Sequence, residues 1–464
     1  MEFVTFVPVR TIFVRLFLWM AVSVSLGQLS PAALLYAQNN GNNGAASGIQ
    51  IDPTGMVSNA NSTMNPALLV KRQNAFVDDN LGDDLKKDVP LRKVSLVKLT
   101  QHCAELTKAQ QPFPLEVQYL YGLTQIDFLF VDHEQKDIVI AGPAGPFAPN
   151  HEGRMCQISS KRPVLRLDDL IVAMREAKRS NRMIGCSIDP IPENLAAMQR
   201  EVQNTVPLSP DAVHRRFEHL ATLLGKHTVR VDGIPAETHM ALTLVEADYR
   251  MKRISIGMDP SQVKGLPSHL SLLKAAGNSM QRWWMIPFYD AIYTTPEHDA
   301  FEFTGTRVQL LSQDEISMGL GNRTDAATTK VSTEKWAQIF TERYGDLAKK
   351  SPVFAELQNV MDVIMVSYLL EQYRIPDQVQ WDRQVFFDEA MIPTKTLPAP
   401  TSTMAIFNTK RVGQGMVIGL LSGGVTINPQ ETLSRGILKV SEERRLTSRR
   451  VDNLKAESNK GWWD

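Results

Sequence analysis

The stretch RWWMIPFYDAIYTTPEHDAFEFTGTRVQLL (residues 282–311) decides the fold class. Aromatic and β-branched residues dominate it. It is interrupted by the polar Pro296-Glu297-His298-Asp299 and by Thr304-Gly305-Thr306, a turn or bulge. Such runs bounded by turn residues predict about three antiparallel strands. Past residue 330 the period changes. Ser332-Thr333-Glu334 opens a predicted helix over 333–349. Residues 352–373 then carry Val353, Leu357, Val360, Met361, Ile364 and Tyr368 at helical spacing. Val363, Val366 and Leu370 widen that stripe, so the second helix is expected to be largely buried. Strands and helices in blocks, without strict strand–helix–strand alternation, predict an α+β fold of short, mainly antiparallel strands in two or three subdomains.

On the N-terminal side, residues 92–110 read as an amphipathic helix. Residues 126–131 and 137–141 read as a strand pair, and 142–163 as an exposed loop. Helices are expected over 168–179, 192–203, 210–224, 238–253 and 267–276, with strands at 183–188 and 228–231. Beyond the long helices, 384–387, 404–409 and 416–421 read as strands, and the charged tail from 441 as a solvated helix or disordered. This divides the chain into 1–37, a signal peptide; 38–66, an Asn/Gly/Ser-rich leader expected to be flexible; 67–205; 206–375; a strand-rich 376–440; and a charged tail, 441–464.

Residues 1–37 have the three parts of a secretory signal. Arg10 and Arg15 give a basic start, an uncharged run extends from Leu16, and the small Ala37 offers a cleavage site before Gln38. The competing reading, a retained anchor, is weakened by Gly27, Gln28, Ser30 and Pro31 in the second half of the run. The first cysteine is Cys103, so no thiol near the cut is present to carry a lipid. Export to the periplasm, cell envelope or exterior is therefore expected, with no membrane span after signal removal.

The chain holds 50 basic and 50 acidic residues, and losing Arg10, Arg15 and Glu2 leaves 48 against 49. A near-neutral chain supplies no electrostatic reason to expect nucleic acid as a partner. Three cysteines are too few for a disulfide scaffold. Cys103 fits a buried position, while Cys156 and Cys186 lie in turn-rich surroundings as a possible disulfide.

Motifs that would carry chemistry are weak. No two of the nine His are four apart and there is no H-E-x-x-H, so no metal is expected; His298-Asp299 beside Glu297 fits a hairpin loop. Ser95-x-x-Lys98 and Ser271-x-x-Lys274 match S-x-x-K inside ordinary amphipathic stretches. Ser422-Gly423-Gly424 has Leu420 where a nucleophile elbow needs glycine, and so reads as a tight glycine turn. Gly413-x-Gly415-x-x-x-Gly419 is neither a dinucleotide fingerprint nor a phosphate loop, and no cofactor is expected. Asp168-Asp169 suits a helix start, and Glu246 with Arg250 a helix-face ion pair. The aromatic cluster Trp283, Trp284, Tyr289 and Tyr293, with Arg282 among it, is the strongest candidate for a working surface. It suits a carbohydrate or peptide groove unless the strands simply pack these rings into a core.

DIVIAGPAGP (137–146), RPVLRLDDLIVAM (162–174), GCSIDP (185–190), EADYRMK (246–252) and RWW (282–284) together resemble the planctomycete secreted proteins of domain of unknown function 1598, over roughly residues 80–375. The resemblance implies export and one large family unit, and it supplies no activity, ligand or site. The residues and the resemblance together suggest an exported, non-catalytic binding or cell-envelope structural component, its partner an envelope protein or a carbohydrate or peptide ligand. The alternative is an exported hydrolase whose residues meet only in the fold, with Asp168, Asp248, His298 and Ser422 as the candidates.

Overall fold

Ser95 shows how local chemistry sets the first boundary. Its side chain accepts a hydrogen bond from the Lys98 amide at 3.0 Å and so caps a helix that begins at Leu96. The residues just before it are already paired in a strand. The expected helix over 92–110 is thus a strand and a shorter helix joined at a cap.

The computed structural model describes residues 49–51, 55–59, 65–179, 183–203, 210–275, 277–319, 322–413, 415–442 and 445–455. Residues 1–37, read as a signal sequence, and the expected cleavage point at Ala37 lie outside them. In chain order the first elements are β1 (Ile49–Ile51), β2 (Met56–Asn59), α1 (Pro66–Asn80), β3 (Val89–Ser95), α2 (Leu96–Lys108), β4 (Phe128–Asp132) and β5 (Asp137–Ala144). Next come β6 (Phe147–Pro149), β7 (Met155–Gln157), α3 (Leu167–Ala177), β8 (Ile184–Pro190), α4 (Pro192–Gln203), α5 (Pro210–Leu224), β9 (His227–Asp232) and α6 (His239–Ser255). After these stand β10 (Gly277–Phe288), β11 (Ala291–Thr294), β12 (Ala300–Thr304), β13 (Arg307–Gly319), β14 (Asn322–Asp325), α7 (Val331–Glu342), α8 (Tyr344–Lys350) and α9 (Pro352–Gln372). The chain closes with β15 (Ser402–Thr403), β16 (Phe407–Val412), β17 (Gly415–Ile427), β18 (Leu438–Val440) and α10 (Arg445–Lys455).

The fold is α+β. Ten strands form one sheet in the order β1-β2-β15-β9-β8-β17-β10-β13-β14, with β16 also on β17; six more form a second, β18-β11-β12-β4-β5-β3. The segment 282–311 therefore does not make one strand set. It contributes β10 and β13 to the first sheet and β11 and β12 to the second, the chain changing sheets at Tyr289-Asp290 and again near Gly305. β10 runs antiparallel to β13 but parallel to β17.

On one face of the large sheet lie α6 and α9. α9 is long and apolar enough to cross a membrane by length and composition, yet it is buried inside the fold along nearly its whole length. A buried ion cluster joins α9 to both sheets: Asp362 accepts from Tyr289 at 3.0 Å and from Arg307 Nε at 3.4 Å, and Arg307 also reaches Asp127 at 3.0 Å. On the opposite face of the large sheet, Leu195, Met198, Leu220 and Leu224 from α4 and α5 pack over Phe407, Ile418 and Leu420.

Several expected elements change. The helix over 267–276 shrinks to one turn, His269–Leu272, because strand β10 starts at Gly277. The helix over 333–349 breaks at Arg343 into α7 and α8. Residues 384–387, expected as a strand, form a helical turn whose Val385 and Phe386 are buried. The leader 38–66 holds strands β1 and β2, which gain the hydrogen-bond partners an isolated Asn/Gly segment lacks. Within the charged tail, Arg445–Lys455 form a docked helix with Leu446 fully buried.

Candidate functional site

The large sheet has one region where side chains are missing by necessity. Gly423 sits at φ +92°, and a Cβ there would lie 2.1 Å from the Trp283 carbonyl oxygen. A Cβ on Gly424 would lie 1.7 Å from the Cys186 carbonyl oxygen, and one on Gly185 2.4 Å from that of Val425. Strands β8, β17 and β10 thus approach closely only because these positions are glycine. Register then sets what stands around the bare patch. Trp284 pairs with Gly424, Gly424 with Ser187, and Ser187 with Arg230. In the next row Thr426 pairs with Gly185 and Gly185 with Asp232. The result is a recess of about 290 Å³ floored by glycine and walled by Trp284, Arg282, Ser187, Asp189, Asp232 and Thr426. It begins where the cover of α4 and α5 ends.

The walls differ in charge. Arg282 is committed: its guanidinium meets Glu315 at 2.5 Å and Asp325 at 3.2 Å, and stands 5.5 Å over the Trp284 ring. Ser422, fully buried beside the floor, donates to Glu315 at 2.8 Å. On the other side Asp189 is half-buried and Asp232 exposed.

Beneath the floor lies a buried ion pair. Lys252 of α6 donates at 2.8 Å to each of Asp248 Oδ2, the Ile188 carbonyl and the Gly423 carbonyl. Both side chains are wholly buried, and burial pushes the Asp248 carboxyl up to about 7 despite the ammonium beside it. Lys252 therefore ties the two floor strands to one helix. Burial also raises the Cys186 thiol, with the charges of Asp248 and Asp232 adding to the shift, so the sulfur at the floor is no thiolate nucleophile.

A second polar cluster lies among α3, α6 and α9. Arg154, buried in the 142–163 segment read as an exposed loop, binds Glu246 at 2.5 Å, Glu152 at 3.1 Å and Glu356. His239 Nδ1 lies 2.8 Å from Asp169, while its Nε2 faces Glu356 at 3.8 Å. An imidazole held between two carboxylates has the first half of a hydrolytic triad. Where a nucleophile's hydroxyl should stand, it has a second acid. The carboxylates and arginines here join helices to one another.

The residues expected from sequence scatter. Trp283 and Tyr289 are core: Trp283 packs edge-on against Trp336 at 4.7 Å, and Tyr289 serves Asp362. Trp284 alone of the four lines the recess. Tyr293 belongs to the other sheet, half-buried under the Arg445 guanidinium at 5.7 Å. Asp168 is held by Arg166 at 2.7 and 2.9 Å. His298 occupies the turn before β12 and stacks on Tyr373 at 4.1 Å. Of the four hydrolase candidates, only Asp248 and Ser422 come near one strand, and from opposite faces. Cys103, Cys156 and Cys186 are free and buried, so the possible Cys156–Cys186 disulfide is not formed; Cys156 sits in the small β6–β7 pair and Cys186 in the large sheet. Sequence reasoning missed Ser187 and Asp189, whose only signal was Gly185 at the head of GCSIDP, and Asp232, whose only signal was Gly233 beside it.

No curated protein and no solved structure matches the chain. Residues 186–269 match the family model described as protein of unknown function (DUF1598), a span that carries Ser187, Asp189 and Asp232 of the recess and the Asp248–Lys252 pair beneath it.

Proposed function

We propose that this chain is an exported, non-catalytic binding component of the cell envelope, and that the glycine-floored recess holds a sugar ring of an envelope glycan. The observation that carries the reading is Trp284 standing beside a floor without side chains, with hydroxyl and carboxylate groups opposite. An indole offers an apolar platform for the C–H face of a pyranose, while Ser187, Thr426 and the carboxylates accept or donate to ring hydroxyls. Trp284 and Ser187 are two strands apart, about 10 Å, which admits one ring edge-on. The ion pairs around Arg282 and Lys252 hold the walls in place before any ligand arrives, which lowers the ordering cost of binding. The sequence of residues 1–37 supports export, with Gln38 as the mature N-terminus.

Two measurements test this. The purified mature chain is titrated with hexose, N-acetylhexosamine and hexosamine oligosaccharides by calorimetry, and Trp284→Ala is expected to weaken binding by about 10–100-fold. Binding of none of these sugars, or of short peptides instead, overturns the glycan reading. N-terminal sequencing of the full chain made in an export-competent cell is expected to begin at Gln38, and retention of residues 1–37 in the membrane fraction overturns release.

A further inference from the structure

We infer that α10 is a salt-releasable cover: a latch centred on Glu302 holds it over an aromatic face of the second sheet, and it opens while the sheets stay closed. The device is independent of any ligand in the recess. Register puts one carboxylate in the middle of an apolar face. Glu302 of β12 pairs with Tyr293 of β11 on one side and with Phe128 of β4 on the other, and Phe128 pairs with Ala141 of β5. The next row runs Ala300, Phe130, Val139. Phe128 and Phe130 stack at 5.4 Å. A carboxylate on such a face is costly unless cations or water answer it.

α10 supplies the cations. Arg445 and Arg449, one turn apart, take one Glu302 oxygen each, Arg449 at 3.0 Å. The same guanidiniums stand over the two flanking rings, Arg445 over Tyr293 at 5.7 Å and Arg449 over Phe128 at 4.9 Å. Arg450 reaches Asp299 at 3.1 Å and the Val131 carbonyl at 2.8 Å. Apolar contact is slight by comparison. Among the described residues of α10, Leu446 alone is fully buried, and Leu454 packs half-buried on the same cluster. The Arg445 and Arg449 side chains are 56% and 42% exposed, so dissolved ions reach the latch, and exposed ion pairs weaken as salt rises. When α10 leaves, water takes the place of the guanidiniums, so Glu302 is satisfied in both states. An apolar side chain at 302 would be satisfied only under the cover.

The test is amide hydrogen exchange on the full chain at fixed pH and temperature, from about 20 mM to about 500 mM sodium chloride. Protection of α10 is expected to fall about tenfold across that range, while protection of the buried α9 stays level. Glu302→Gln is expected to expose α10 already at low salt and to flatten its salt dependence. Leu446→Ala is expected to lower protection at every salt concentration and keep the slope, which separates the latch from packing. If Glu302→Gln also loosens α9, the double variant Arg445→Gln, Arg449→Gln carries the same test from exposed side chains. Wild-type α10 protection that does not change with salt overturns the inference, as does loss of α9 protection together with that of α10. A slope that survives both latch variants overturns the assignment to Glu302.

Discussion

Lys252 is the residue on which most of the candidate site depends, and it touches no ligand. Its ammonium satisfies two main-chain carbonyls on neighbouring strands as well as Asp248. Lys252→Met would leave a buried carboxylate and two buried carbonyls without their donor, and is expected to destabilise the fold by about 3–5 kcal/mol in denaturant melts. The same pair gives the protein a pH dependence. The Asp248 carboxyl titrates near 7 when folded and near its ordinary 3.8 when unfolded. Between those values the folded state keeps a proton that the unfolded state has lost, so this group's stabilisation is full below about pH 4 and falls as pH rises through 7. Asp362, raised to about 6, acts in the same direction, and His269, lowered to about 4, acts oppositely below its ordinary 6.5. Asp248→Asn isolates the first effect: its deficit in melting temperature relative to wild type is expected to shrink from pH 5 to pH 8, and a constant deficit would contradict the assignment. For single residues the sequence is half legible. Ser422-Gly423-Gly424 announces a backbone constraint, but a tight turn and a crowded strand centre ask for the same residues. Only the partners, Cys186 and Trp283, tell them apart.

Among elements, the long helices α6 and α9 are readable because burial repeats over many turns and a periodic signal accumulates. Short elements are not. Residues 384–387 have strand-like side chains but make a helical turn, where burial of Val385 and Phe386 outweighs propensity. The tail shows a related limit. Its charges resemble those of a solvated helix, yet Arg445 and Arg449 both reach Glu302, and Arg450 reaches Asp299 at 3.1 Å. Leu446 meanwhile packs with Phe128, Phe130 and Ala300. Deleting residues 445–464 should therefore bare an aromatic face of the second sheet. The expected result is a clear rise in binding of a hydrophobic dye and self-association on sizing columns, with a smaller loss of thermal stability. An unchanged dye signal would mean that α10 covers nothing of consequence.

Across the whole molecule, the α+β class is legible and the sheet membership is not. Composition and period identify strands, but pairing over hundreds of residues leaves no local mark. Strands from 67–205, 206–375 and 376–440 all meet in one sheet, with β17 paired to β8, β10 and β16. A chain ending at residue 375 lacks that central strand, so β8 and β10 lose their common neighbour. Such a fragment is expected to be insoluble or to lack dispersed amide signals in NMR, and a well-dispersed spectrum would show that the earlier part folds alone. The same placement has a consequence for biosynthesis. β8 is complete by Pro190, but its partner ends at Ile427. At a synthesis rate of about 5–20 residues per second, the nascent chain waits about 10–50 s with a slot in its main sheet unfilled. On the proposed export route, where a polypeptide threads a channel before it folds, a keystone made late keeps the door open: the main sheet cannot close before the last third of the chain has been entered.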